Sequence, residues 1–169
     1  MASTAHTIVL DHDRIQLIIE RFAHEIYEMH HDKKKLTLIG IEGRGMALCK
    51  RLANHLEDIS KLDITVEEIG LHKSEPTKHE VKLSCELSAL RKQSVILIDD
   101  VLNSGRTLVY ALRHLLGESL TSVTTVVLVD RIHRKFPVRA DIVGMTLSTT
   151  LQERVEVEFG AKRDFAYLV

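Results

Sequence analysis

The stretch VILIDDVLNSGRTL, residues 95–108, decides how the rest of the chain is read. Four apolar residues, Val95 to Ile98, run straight into two adjacent carboxylates, Asp99 and Asp100. A strand without polar alternation is buried on both faces, as in the parallel sheet of an α/β protein. In such sheets ligands bind beyond the carboxyl ends of the strands, which is where Asp99 and Asp100 fall. Asn103, Ser104, Gly105, Arg106 and Thr107 then lead into a helix expected over residues 106–116. Free backbone N–H groups and the helix dipole draw an anion to such a start. Gly105 permits a positive φ or a close backbone approach, the Ser104 and Thr107 hydroxyls donate, and Arg106 adds charge. The two carboxylates would repel that anion. They suit instead a neutral vicinal diol a few ångströms away, and a phosphate beside a diol describes a ribose 5-phosphate. Taken alone, DD before a turn reads as a solvated strand end; the whole string serves one ligand.

Working outward, apolar residues at Ile15, Ile18, Ile19, Phe22, Ile26 and Met29 recur at helical spacing, so a helix is expected over residues 11–31, capped by Asp11 or Asp13. LTLIGI (36–41) reads as a buried strand, EGRG (42–45) as a turn, residues 46–59 as a helix and LDITVEEI (62–69) as a strand. Residues 70–82, GLHKSEPTKHEVK, are polar, contain one of the two prolines and show no period; they read as a mobile loop or hairpin tip. SVTTVVLVD (122–130) is a further strand. Alternating strands and helices imply right-handed crossovers and a parallel sheet flanked by helices. Beyond Asp130 only short strands follow. One domain is therefore expected over residues 1–169, with a core over about 8–130 and a small C-terminal hood over about 131–169 covering the carboxyl edge of the sheet.

The totals narrow the function classes. With 169 residues, 44% hydrophobic and 28% charged, the chain is ordinary globular protein. A net charge of −1 disfavours a constitutive nucleic-acid binder, and 4% aromatic residues with no Trp disfavour a base-stacking platform. The two cysteines, Cys49 and Cys85, form neither a disulfide framework nor a zinc pair, which fits a reducing cytoplasm. The first residues, MASTAHTIVLDHDR, lack the pattern of a secretory leader, and no apolar run approaches a membrane span. HEIYE at His24 begins like HExxH but ends in Glu28, so the two-histidine metal pair is missing. GxxxxGK[ST] is absent, which excludes a P-loop, and the adjacent acid pair is not the DxD of a dehalogenase-type nucleophile.

VILIDDVLNSGRT resembles the phosphoribosyl pyrophosphate motif of type I phosphoribosyltransferases. HEIYE, GIEGRGMALCKRLA (40–53) and LVDRIHRKFPVRADIVG (128–144) extend the resemblance to the pyrimidine operon attenuator / uracil phosphoribosyltransferase subfamily, over most of the chain. The resemblance implies an α/β type I phosphoribosyltransferase fold and transfer of ribose 5-phosphate from phosphoribosyl pyrophosphate to a nucleobase, with uracil first and a purine second. Mg2+ would be held mainly through substrate, with Asp99 or Asp100 as a protein ligand. Asp99 and Asp100 would hold the ribose hydroxyls and act in catalysis; Asn103, Ser104, Gly105, Arg106 and Thr107 would hold the 5-phosphate. Glu42, Gly43, Arg44 and Gly45 would form the pyrophosphate loop. Arg131, Ile142 and Val143 would face the base, an arginine at 131 resembling the uracil-using branch. Residues 70–82 would close over the site, with Lys73, Lys78 or His79 approaching the pyrophosphate. The resemblance also implies a homodimer or homotetramer.

The subfamily also contains RNA-binding regulators of pyrimidine genes. Arg21, His24, Arg134 and Arg139 match positions implied in RNA contact, since arginines hold RNA phosphates or stack on bases. Glu20 and Met145 depart from that pattern, where a small hydroxyl residue and a lysine are usual. An inactive, structural family member is a third reading, opposed by the intact aspartates and NSGRT loop.

Overall fold

The computed structural model describes residues 6–169, so the reading of residues 1–5 as no part of a leader lies outside them. In chain order the elements are β1 (Thr7–Leu10), α1 (His12–His30), β2 (Lys35–Ile41), α2 (Arg44–Ile59), β3 (Asp63–Gly70), β4 (Lys82–Leu83), a 3-10 turn (Leu87–Leu90), β5 (Ser94–Leu102), α3 (Arg106–Leu115), β6 (Ser122–Arg131), β7 (Ile142–Leu147), β8 (Val155–Phe159) and β9 (Asp164–Leu168). One sheet has the order β4-β3-β2-β5-β6-β7. Its strands run parallel except β4, which returns antiparallel to β3. The molecule is thus an α/β fold with a mostly parallel sheet flanked by helices.

The apolar run of β5 explains this layering. Val95, Ile96, Leu97 and Ile98 are all fully buried, and successive side chains of a strand point to opposite faces. Ile96 and Ile98 join Ile15, Ile19 and Phe22 of α1 and Leu48 and Leu52 of α2. Val95 and Leu97 join Leu108, Ala111 and Leu115 of α3 on the other face. The helix α1 starts where Asp11 Oδ1 accepts the Arg14 N–H at 3.0 Å and buries Ile15, Ile19, Phe22, Ala23 and Ile26 along one stripe.

Two elements differ from the sequence expectation. The helix α2 begins at Arg44 rather than residue 46, because Gly43 takes φ +90° and turns the chain from β2 into the helix at once. Residues 142–147, expected in the hood, instead form β7 and extend the parallel sheet beside β6. The crossover to β7 is made by the irregular segment 132–141 rather than by a helix, which removes the periodic signal that marks a β–α–β unit. The small lobe is an antiparallel sheet of order β1-β9-β8, so the N-terminal strand joins it. Its Val155, Val157 and Ala166 pack into the core shared by α1 and α2. A polar clasp locks it there: Asp164, buried on β9, accepts from Gln16 Nε2 of α1 at 2.8 Å and from Arg51 Nη2 of α2 at 3.0 Å.

Candidate active site

The parallel register brings the carboxyl ends of β2 and β5 together, Gly40 beside Ile98. The chain after β2 therefore turns against the acid pair. A Cβ on Gly45 would lie 3.0 Å from both Asp99 Oδ1 and the Ile98 carbonyl oxygen, so the first turn of α2 sits directly on Asp99. A cavity opens at this edge. Arg44, Lys73, Asp99, Asp100, residues 103–107 and Val155 line it.

Asp99 is buried, while Asp100 is half-buried. The Asp100 N–H donates to Asp99 Oδ1 at 2.9 Å. Burial, and next the neighbouring Asp100 charge, push the Asp99 carboxyl well above the usual carboxylate range; Lys73 pulls weakly the other way. The pair can accept hydrogen bonds from a diol, and its raised proton affinity makes Asp99 the stronger base of the two.

Beyond β5 the backbone turns at Gly105, which has φ +84° and ψ 0°. Two constraints require glycine there: the left-handed φ, and Val138 Cγ1, which would stand 2.5 Å from any Cβ. The Arg106 N–H donates to Ser104 Oγ at 3.3 Å, closing the turn onto the start of α3. The Arg106 guanidinium lies 5.6 Å from the Phe136 ring centroid and donates to the Ser74 carbonyl at 3.2 Å. That bond ties the loop 70–82, the tip of the β3–β4 hairpin, to α3.

The profile of the family described as "Phosphoribosyl transferase domain" matches residues 6–162. The chain belongs to the phosphoribosyltransferase family. Its sequence is similar to "Bifunctional protein PyrR" of Roseiflexus sp. (strain RS-1), 36% identical over 87% of this chain and 84% of that protein. It is similarly close to the proteins of that name from Bacillus velezensis, 36% identical over 89% and 88%, and Bacillus mycoides, 38% identical over 89% of each. In structure it is similar to the hypoxanthine phosphoribosyltransferase of Trypanosoma cruzi (TM-score 0.76, 22% identity, 88% of this chain and 84% of that one). A hypoxanthine-guanine phosphoribosyltransferase from Bacillus anthracis gives TM-score 0.71 at 19% identity, over 84% and 82%. The fold is that of the type I enzymes.

This phosphoribosyltransferase gathers Asp99, Asp100, Asn103, Ser104, Gly105, Arg106, Thr107 and Arg44 around one cavity. Gly43 and Gly45 shape its wall through their backbones. Glu42 falls outside it, in a neighbouring depression with Gly70, His72, His79, Glu80 and Lys82. Of the three loop residues, only Lys73 reaches the cavity. Lys78 pairs with Glu75, and His79 stacks on His72 with ring centroids 4.0 Å apart.

The residues implied for the base and for RNA are more dispersed. Ile142 is 3% exposed and packs in the core under α1, so it offers no surface to a base. Val143 is half-buried, and its carbonyl accepts from Arg21 Nη2 at 2.9 Å. Arg131 is buried, donating to Thr149 Oγ1 at 2.6 Å, the Thr150 carbonyl at 3.0 Å and Asn103 Oδ1 at 3.4 Å. Arg134 is turned inward onto Asp130 and backbone carbonyls, so its guanidinium is not presented to a nucleic acid. Arg21 also pairs with Glu25, which offsets its charge. His24 and Arg139 are exposed.

Sequence reasoning missed Val155, which the small lobe delivers to the cavity, and the tether from Arg44 Nη2 to Glu156 Oε2 at 3.4 Å. Neither residue carries a local signal. Both are ordinary members of the alternating strand β8, and only the packing of that lobe over β5 brings them to the site.

Proposed function

We propose that this phosphoribosyltransferase transfers ribose 5-phosphate from phosphoribosyl pyrophosphate to uracil, giving UMP and pyrophosphate in nucleotide salvage. One observation carries the reading: a single cavity presents two carboxylates beside a glycine-turned helix start, with Arg44 and Lys73 on its remaining sides. Asp99 and Asp100 hold the ribose hydroxyls, residues 103–107 hold the 5-phosphate, and Arg44 and Lys73 meet the pyrophosphate. The uracil preference rests on the subfamily resemblance and on Arg131. Arg131 would act on the base through Asn103 and the residues 149–150 that it holds, and the Val143 edge would complete the base pocket.

The chemistry follows from the positions. The bond from ribose C1 to the pyrophosphate oxygen breaks as the bond to a ring nitrogen of the base forms, through a cationic, oxocarbenium-like transition state. The anionic end of β5 faces that charge, and such fixed electrostatics with positioning replaces a strong nucleophile. The raised proton affinity of Asp99 fits it to share the proton that the base releases. The loop 70–82, already bonded to Arg106, closes over the substrates and excludes water. The carboxylates are hard oxygen donors that suit Mg2+, and Asp99 or Asp100 would hold it. Bound there, it would supply the positive charge that makes pyrophosphate a better leaving group.

The experiment is turnover with phosphoribosyl pyrophosphate, Mg2+ and a panel of uracil, hypoxanthine, guanine and xanthine, with the nucleotide product identified. UMP is expected; a purine nucleotide would replace uracil by a purine and keep the reaction class. Asp100→Asn or Arg106→Ala should each lower turnover at least about tenfold with folding intact, as loss of one oriented contact in the transition state does. Wild-type rates in both would reject the site.

A second reading, a UMP-responsive RNA-binding regulator, draws on the subfamily resemblance and on His24 and Arg139, which remain exposed. A salt-sensitive RNA mobility shift, strengthened by UMP, is its test. The enzyme would work in the cytoplasm as a homodimer or homotetramer; the free thiols of Cys49 and Cys85 fit a reducing compartment. Among the described residues no helix is long and apolar enough to cross a membrane.

A further inference from the structure

We propose that Arg134, braced by Asp130, is a positioning residue that sets the backbone of the 5-phosphate loop for anion binding. Arg134 Nη1 donates to the Asn103 carbonyl at 2.6 Å and to the Leu102 carbonyl at 3.4 Å. The next two residues continue the pattern, because the N–H groups of Lys135 and Phe136 both donate to the Ser104 carbonyl, at 2.9 and 3.0 Å. Three successive carbonyls, 102 to 104, are thus pinned toward the segment between β6 and β7.

A trans peptide holds its C=O and the following N–H on opposite sides, and no described peptide is cis. Pinning those carbonyls therefore turns the N–H groups of Asn103, Ser104 and Gly105 the other way, toward the cavity that these residues line. Convergent backbone N–H groups make an anion site. Arg134 also controls the third side of the turn, for its Nε donates to the Val138 carbonyl at 2.9 Å, and Val138 is the residue packed against Gly105.

Asp130 completes the device. It pairs with Arg134 Nη2, and the two side chains are only 22% and 16% exposed. The guanidinium is therefore paired in charge and bonded through all three of its nitrogens, so it orders the loop without competing with Arg106 for the phosphate. This explains why an arginine of the β6–β7 segment, remote from the motif in sequence, belongs to its function.

The proposal rests on the cavity being a ribose 5-phosphate site, so the test separates the two. The probes are ribose 5-phosphate and pyrophosphate, titrated calorimetrically into wild type, Arg134→Gln, Arg134→Lys and Asp130→Asn. Arg134→Gln should weaken ribose 5-phosphate about tenfold or more, the effect of losing several charge-assisted bonds, and leave pyrophosphate within about twofold, since the Gly43–Arg44 turn does not depend on it. In turnover the KM for phosphoribosyl pyrophosphate should rise while the KM for the base holds. Arg134→Lys should fall between, because an ammonium cannot reproduce the guanidinium fork, and Asp130→Asn should resemble it. Unchanged ribose 5-phosphate affinity in Arg134→Gln overturns the proposal, as does equal loss of both ligands. If Arg134→Gln does not fold, Arg134→Lys decides, and wild-type affinity there overturns it. Wild type that fails to bind ribose 5-phosphate removes the cavity reading itself and the proposal with it.

Discussion

Asp99 lies buried at the end of β5, where burial and the Asp100 charge raise its proton affinity. Between its unfolded value, roughly 3.9, and its higher folded value, the native state binds more protons than the unfolded chain. Stability therefore falls as pH rises through that window and levels off above it. Asp99→Asn keeps the oxygen that accepts the Asp100 N–H and removes the charge. It should raise the melting temperature of the free protein at pH 7.5 and flatten the decline above pH 4, while lowering turnover at least about tenfold. A melting temperature below wild type across that range would contradict the assignment. Gly105 makes the opposite case, a residue kept for geometry. Gly105→Ala must hold a left-handed φ and meet Val138 at 2.5 Å. It should cost about 1–3 kcal/mol in urea unfolding.

At the scale of the element, the β3–β4 hairpin tip divides its cations. Lys73 faces the cavity and Asp99, whereas Lys78 is engaged by Glu75 on the exposed side. Lys73→Ala should lower kcat/KM for phosphoribosyl pyrophosphate about tenfold, a charge-assisted contact's worth, with the melting temperature nearly unchanged. Lys78→Ala should leave both as they are, since exposed pairs contribute little. Equal kinetics in the two variants would show that the hairpin does not reach the substrate. The elements themselves were largely legible. The runs that form β2, β5 and β6 and the stripe of α1 report burial directly, because period follows backbone geometry. β7 was misplaced because its crossover has no helix, and the early start of α2 depends on one glycine's φ.

Across the whole molecule, the small lobe joins the first and last described strands and delivers Val155 to the cavity. Asp164 fastens it to α1 and α2 through Gln16 and Arg51. Asp164→Ala should destabilise by about 2–4 kcal/mol in urea unfolding, less than a fully buried pair because Arg51 is partly solvated. It should also raise the KM for phosphoribosyl pyrophosphate, as the lobe loosens over the site. A loss of stability with unchanged KM would make the clasp a structural element only.

The chain by itself determined the class of fold and the heart of the site. An unbroken apolar run ending in Asp99 and Asp100, followed by a glycine turn, is a local pattern, and local backbone rules translate it. Tertiary structure decided how the more distant groups meet that heart. The resemblance names Arg131 and Arg134 for a base and for RNA, yet packing of the end of β6 and the segment after it turns both inward to the loop. Ile142 went to the core for the same reason. A side chain's partners are set by which elements pack together over long separations, and a period of two or 3.6 residues carries no information about that.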